Sequence, residues 1–239
     1  MTGKADLHVH THRSADAFSS PRAVLKKAKE RGLDLLAITD HDTITGAKEA
    51  SKIAQEFGIE TVMGEEVTTK EGDLLALFIG EEIKPKRSVL ETIREVHRQG
   101  GLALVPHPGN TVIGGVSLEV LGEIFQEVDA IELLNGGWLG WIKAQESQEL
   151  NESTFGLTPF GGSDAHLARQ VGSAYTEFPG RTAEDLFRAI KNGQTMPAGG
   201  SWAYRDTLLL LLNTPRVLYR KPTLAFKVAL RAARKTLVL

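Results

Sequence analysis

The chain has 239 residues, with 28 Lys and Arg against 30 Asp and Glu, so its formal charge is −2 with histidine neutral. Apolar residues at 41% and charged residues at 24% are ordinary for a soluble globular chain, and the length suits one α/β barrel or two small domains. The absence of cysteine excludes disulfides, cysteine-ligated zinc, iron–sulfur clusters and a thiol nucleophile, so a bound metal must rest on His, Asp, Glu or main-chain oxygen.

In chain order, residues 5–9 read as a short strand. Ser20 caps and Pro21 opens a helix to Arg31, which Gly32 ends. The continuous apolar run 33–39 is expected to be a strand buried on both faces. Thr43 or Thr45 caps a helix to Phe57, and Gly58 ends it. Strands follow at 59–63 and 74–79, a helix at 88–99, a strand at 102–105, a helix at 118–127 and a strand at 130–134. A helix at 141–150, strands at 157–160 and 173–178, and a helix capped by Thr182 and running to Asn192 complete the pattern. Repeated β-then-α units predict parallel strands with right-handed crossovers, in a barrel or a large doubly wound sheet. Function is then expected where strands end and loops begin.

The opening residues turn polar at once, with no leader-like apolar run. The longest apolar run, 208–212, is far short of the about 18–20 residues of a membrane span, so a cytoplasmic chain is expected. Charge is uneven. Residues 205–239 carry eight basic side chains and one acid, a net +7, which leaves residues 1–204 at −9. In 223–239, Lys227, Arg231, Arg234 and Lys235 share one helical face, opposite Leu224, Phe226, Val228, Leu230 and Leu237. Such a segment suits a helix docked on the barrel, an anionic membrane surface or a nucleic acid. The expected organisation is a catalytic domain over 1–204 and a basic amphipathic extension over 205–239.

Five of the seven histidines fall at strand ends. His8 and His10 are spaced i, i+2, on one face of an extended segment. His41 follows Asp40 in AITDHD, and His107 lies in LVPHP. Asp164 and His166 lie in GGSDAH, and Glu65 and Glu66 follow another strand. Mixed imidazole and carboxylate donors suit Mn, Zn or Fe, and they outnumber what one ion needs, so a cluster of two or three divalent ions is expected. His12 reads as loop surface and His97 as a solvated helix residue.

The runs DLHVHT, Ser14-Ala15-Asp16 and ITDHD, followed in order by Glu66-Val67-Thr68, Pro106-His107-Pro108 and Ser163-Asp164-Ala165-His166, resemble the PHP (polymerase and histidinol phosphatase) family over about residues 4–200. The resemblance implies a distorted (β/α)7 barrel with a trinuclear metal site that hydrolyses phosphate esters. It implies His8, His10 and Asp164 on a first metal, with Glu66 bridging to a second that His107 also binds. Asp16, His41 and His166 would hold the third. The family has a further histidine where this chain has Asp73, itself a competent hard ligand. Glu65 is expected outside the ligand set, at the surface or behind it.

On that reading, a hydroxide shared by two metals attacks phosphorus in line, while the metals neutralise the phosphoryl oxygens. Asp40 or His41 is the candidate for proton transfer. Arg169, then Arg13, are the candidate phosphate cations, since a guanidinium can grip two phosphate oxygens. Asn135 could line the pocket, and Trp138 and Trp141 could stack on a base or sugar. The expected substrate is a small phosphorylated compound or an oligonucleotide end. The alternatives are a nuclease, a cyclic-nucleotide phosphodiesterase and a non-catalytic, metal-stabilised binding module.

Overall fold

Alternation along the strands decides the architecture. The computed structural model describes residues 1–137, 139–140, 142–203 and 205. Among these residues one sheet runs β7-β6-β5-β4-β3-β2-β1-β8-β9. Its strands are β1 (Thr2–Asp6), β2 (Leu35–Ile38), β3 (Glu60–Thr68), β4 (Asp73–Leu77), β5 (Leu102–Val105), β6 (Ala130–Asn135), β7 (Thr158–Gly162), β8 (Ala174–Pro179) and β9 (Met196–Gly199). The helices are α1 (Pro21–Glu30), α2 (Thr45–Ser51), α3 (Val89–Arg98), α4 (Leu118–Ile124), α5 (Ala144–Leu150) and α6 (Ala183–Lys191).

Leu35 and Ala37, Leu75 and Leu77, Leu102 and Leu104, with Ala130 and Phe160, pack together on the inside of the curved sheet. The alternate residues face outward. Leu36 and Ile38 meet Val24 and Leu25 of α1, whereas Ala103, Val105 and Ile131 meet Ile93 and Val96 of α3. Each large apolar side chain buried this way contributes about 1.5–3 kcal/mol relative to exposure. The seam between β7 and the β8–β9 edge is bridged by side chains. The Thr176 hydroxyl donates to the Gly161 carbonyl (2.8 Å) and accepts from its N–H (3.0 Å), and the Thr195 hydroxyl donates to the Pro159 carbonyl (2.6 Å). The result is a nearly closed, barrel-like sheet.

The predicted parallel pairing holds for β1–β2–β3 and for β5–β6–β7. It fails at β4, which is antiparallel to both neighbours, and at β8, which is antiparallel to β1 and β9. The four-residue connection 69–72 explains the first case, since it can close a hairpin but cannot hold a crossover helix. β3 is longer than expected and encloses Glu66, which therefore lies within a strand and not after one. The strand expected at 5–9 begins earlier and ends at Asp6, beyond which Val9 pairs with Ala165 as an isolated bridge. β9 carries Pro197 and no apolar alternation, and it pairs at the rim, where proline is tolerated. The helix expected from residue 141 begins at Ala144. At α2 the capping position is taken by Ile44, while the Thr43 hydroxyl accepts the Thr45 N–H.

Among the described residues no helix is long and apolar enough to cross a membrane. Tyr204, the extension from 206 to 239 with its apolar run and amphipathic face, Trp138 and Trp141 lie outside the described residues.

Candidate metal centre

The expected ligands converge at one end of the barrel. His8 and His10 follow β1, Asp16 lies on the loop before α1, and His41 follows β2. Glu66 belongs to β3, His107 follows β5, and Asp164 and His166 follow β7. Strand parity selects among the acids. On β3, Glu66 has the parity of the inward Val62. On β4, Asp73 has that of Leu75, and on β6, Glu132 has that of Ala130. Glu65 has the opposite parity. It is buried, not at the surface, and its carboxylate accepts the Ile83 N–H (2.5 Å) while burial pushes its pKa up to about 7.

Glu66 is the hub. Its Oε2 lies 3.3 Å from His8 Nε2, 3.2 Å from His10 Nε2 and 3.3 Å from His41 Nδ1, and its Oε1 lies 3.3 Å from His107 Nε2. Asp164 Oδ1 stands 3.5 Å from both His8 Nε2 and His10 Nε2. A second cluster is nearer solvent. His41 Nε2 lies 3.3 Å from Asp16 Oδ2, and His166 Nε2 lies 3.8 Å from Asp16 Oδ1. These three side chains keep 14–21% of their surface, whereas those of His8 and His10 keep none.

Neighbouring hydrogen bonds fix which ring nitrogen faces inward. Glu132 can only accept, so His8 Nδ1 donates to its Oε1 (3.2 Å). Ser14 gives its one hydroxyl proton to Asp40 (2.9 Å), so His10 Nδ1 donates to Ser14 Oγ (3.1 Å). His166 Nδ1 donates to the Asp164 carbonyl (2.9 Å). In the neutral form of all three rings Nε2 is then the lone-pair atom.

Burial works against charge throughout the site, and close opposite charges outweigh it for most members. The carboxylates of Asp164, Glu66 and Glu132 hold His8 well above its ordinary value, and Asp16 and Glu66 do the same for His41. His10 and His107 are also raised. His166 is lowered, by burial and by His10. Glu66, Asp16 and Asp164 lie well below the carboxylate range because histidines surround them. Asp73 goes the other way. Burial and the charge of Glu66 push it up to about 6.

The donor set fits a divalent ion. Ligands about 2.1 Å from one tetrahedral ion stand about 3.4 Å apart. His8 Nε2, His10 Nε2, Glu66 Oε2 and Asp164 Oδ1 are separated by 3.2–3.5 Å along four edges. The buried His10 Nε2 and Asp16 Oδ1 make no hydrogen bond, as expected of atoms that face a cation. Three donor groups have ligand atoms within 4.8 Å of one another: His8–His10–Glu66, His8–His107–Asp164 and His10–His41–His166. Asp73 belongs to none of them. It sits buried at the start of β4, its carboxylate against Gly114.

Other expected residues are placed differently. Asp40 accepts from the Thr11 N–H (2.6 Å), the Thr11 hydroxyl (2.7 Å), the Ser14 N–H (3.1 Å) and the Ser14 hydroxyl, so its carboxylate holds the loop and does not join the cluster. The Arg13 guanidinium is engaged at the surface by both carboxylate oxygens of Glu49. Arg169 is exposed on the turn Ala168–Gln170, just after His166. Asn135 donates its amide to Glu132 (2.9 Å) and Asp164 (3.3 Å). His97 pairs with Asp129 on α3, and His12 is exposed. Trp202 was not anticipated. Its indole donates to the Ser163 carbonyl (2.7 Å) and its ring stands edge-on to His166.

Residues 151–195, which carry Asp164 and His166, match the model of the PHP-associated family. An uncharacterized protein of Methanocaldococcus jannaschii is 41% identical over 144 residues, which are 55% of this chain and 81% of that protein. The chain belongs to the PHP family. A 3′,5′-nucleoside bisphosphate phosphatase of Chromobacterium violaceum is 35% identical over 97 residues, 41% of this chain and 34% of that enzyme. For the fold, the PHP chain superposes with a TM-score of 0.73 and 20% identity on a two-domain protein of Bacteroides vulgatus, described as containing a predicted PHP-like metal-dependent phosphoesterase. The match covers 89% of this chain and 70% of that one.

Proposed function

We propose that this PHP-family chain is a metal-dependent phosphoesterase acting on a small phosphomonoester. The observation that carries the reading is the convergence of four imidazoles on Glu66, with Asp164 against two of them, at spacings suited to divalent ions. The nucleoside bisphosphate phosphatase, which is 35% identical to this chain over 97 residues, supports the choice of a phosphomonoester. Divalent ions held there supply Lewis-acid stabilisation of a phosphoryl group and a nucleophile at neutral pH.

On this reading His8, His10, Asp164 and Glu66 hold one ion. Glu66 and His107 hold a second. Asp16, His41 and His166 hold a third at the solvent side, where a phosphate would enter. Arg169 is the phosphate cation, since it stands on the His166 turn. His41 serves as a ligand, because both of its nitrogens face carboxylates. Asn135 orients Asp164 and leaves phosphate binding to Arg169.

The test is to measure bound metals on the purified chain and to compare hydrolysis of an aryl phosphomonoester with that of its diester, with Mn²⁺ and after chelation. Metal-dependent turnover of the monoester is expected. Turnover of the diester alone would replace this reading with a nuclease or phosphodiesterase. A fully loaded chain with neither activity would leave the binding module. Arg169→Ala should raise KM for the monoester more than it lowers kcat.

A further inference from the structure

Among the described residues, Glu132 is an inward-facing acid at this end of the barrel that family resemblance leaves without a role. Its side chain is fully buried. Its Oε1 accepts His8 Nδ1–H (3.2 Å), and its Oε2 accepts the His107 N–H (2.7 Å) and the Asn135 amide (2.9 Å). The same Asn135 nitrogen reaches Asp164 Oδ2 (3.3 Å), which leaves Oδ1 facing the histidines. One carboxylate thus engages the ends of β1 and β5 directly and the end of β7 through Asn135. The fit is tight. Gly162 passes so close that a Cβ there would stand 2.7 Å from Glu132 Oε1 and 2.6 Å from His8 Cβ.

His107 needs such a restraint, because its backbone is left-handed, with φ 31°, where a non-glycine residue is strained. The N–H bond to Glu132 holds that turn. The side-chain bond from His8 fixes its tautomer and makes Nε2 a stronger donor.

From this geometry we propose that Glu132 is a positioning residue that preorganises the ligands of two metal positions together: His8 and Asp164 on one side, His107 on the other. The proposal rests on the metal-centre reading above. Glu132 makes no bond to Asp16, His41 or His166, so the third position is independent of it. Its effect therefore differs from that of losing one ligand. Metal affinity falls at two positions at once while the solvent-side position keeps its ion.

The test chelates the full-length chain and reloads it with Mn²⁺ or Co²⁺. Bound ions are counted by elemental analysis, affinity is read by chelator competition and the Co²⁺ visible spectrum is recorded. In Glu132→Gln the amide sets a donor against one of the three N–H groups. Metal affinity should fall about 10–100-fold, with an altered Co²⁺ spectrum and one ion retained at full affinity. Ile131→Val, the next residue on β6, faces the outer core and loses packing without touching the network, so it should bind metal as the wild type does. If Glu132→Gln does not fold, Glu132→Asp keeps the buried charge but withdraws it from His8, and the same loss in smaller measure is expected. Wild-type affinity in the Glu132 variant, or an equal loss in Ile131→Val, overturns the proposal. A wild-type chain that binds no ion overturns the metal-centre reading as well.

Discussion

Asp40 separates two mechanisms that make opposite predictions. It stands beside His41 in sequence, where a proton-transfer role is natural, yet its carboxylate is buried and takes four hydrogen bonds from Thr11 and Ser14. Asp40→Ala leaves the backbone N–H of Thr11 without an acceptor, whereas the Ser14 N–H keeps the Thr11 carbonyl (2.9 Å). The orphaned donor costs about 1–3 kcal/mol, at the low end if water enters. For a domain of this size that lowers Tm by roughly 2–12 °C. The loss also frees the Ser14 hydroxyl, which orients both His10 Nδ1 and the His41 N–H (3.0 Å), so metal affinity should fall along with stability. The assay is thermal denaturation of the chelated protein, followed by Mn²⁺ titration. A variant with unchanged Tm and metal affinity that loses turnover alone would refute the loop-anchoring role and restore proton transfer.

His8→Ala or Asp164→Ala should abolish metal-dependent turnover, whereas His97→Ala, which removes a surface pair with Asp129, should not; equal loss in all three would sink the ligand assignment. Protons compete with metal for His8 and His41, whose pKa values lie above the ordinary 6.5, so metal uptake should weaken as pH falls from about 8 to 6. The same shifts act on stability with a definite sign. A raised histidine stabilises the metal-free fold below its unfolded value and loses that contribution as pH rises through the folded one. Chelated protein should therefore lose Tm on the alkaline side of neutrality, and a flat profile there would contradict the shifts. Gly162→Ala drives a methyl into His8 and Glu132, which should cost about 1–3 kcal/mol and weaken metal binding; a variant with unaltered metal affinity would show that the barrel end yields more easily than its packing suggests. Arg13→Ala should leave both KM and Tm unchanged, and a raised KM would return Arg13 to the phosphate site.

Much of this protein is legible along the chain, because much of it is local. The apolar runs of β2 and β5, the serine cap of α1 and the threonine cap of α6 depend on a few adjacent residues, and they appear where the sequence puts them. The histidines announce themselves because HVH, TDHD and DAH are short motifs. Strand direction is less legible. β4 reverses because its connection is short, and β8 pairs with β1 across the whole chain. Roles inside the site are harder still, since they depend on partners far away in sequence. Asp40 turns to Thr11 and Ser14, while Glu132 meets His8 across 124 positions. Its signal was present as a lone acid inside the apolar strand AIELLN, but a charge in a strand says only that something must satisfy it.

Composition marks the same division. A chain without cysteine and with seven histidines confines any metal to nitrogen and oxygen donors, and that follows from composition alone. Which nitrogen of each ring points inward, which of two adjacent glutamates becomes the hub and which acids serve as ligands or as struts are set by strand parity and by hydrogen bonds between distant elements. Those relations exist only once the barrel has closed around them.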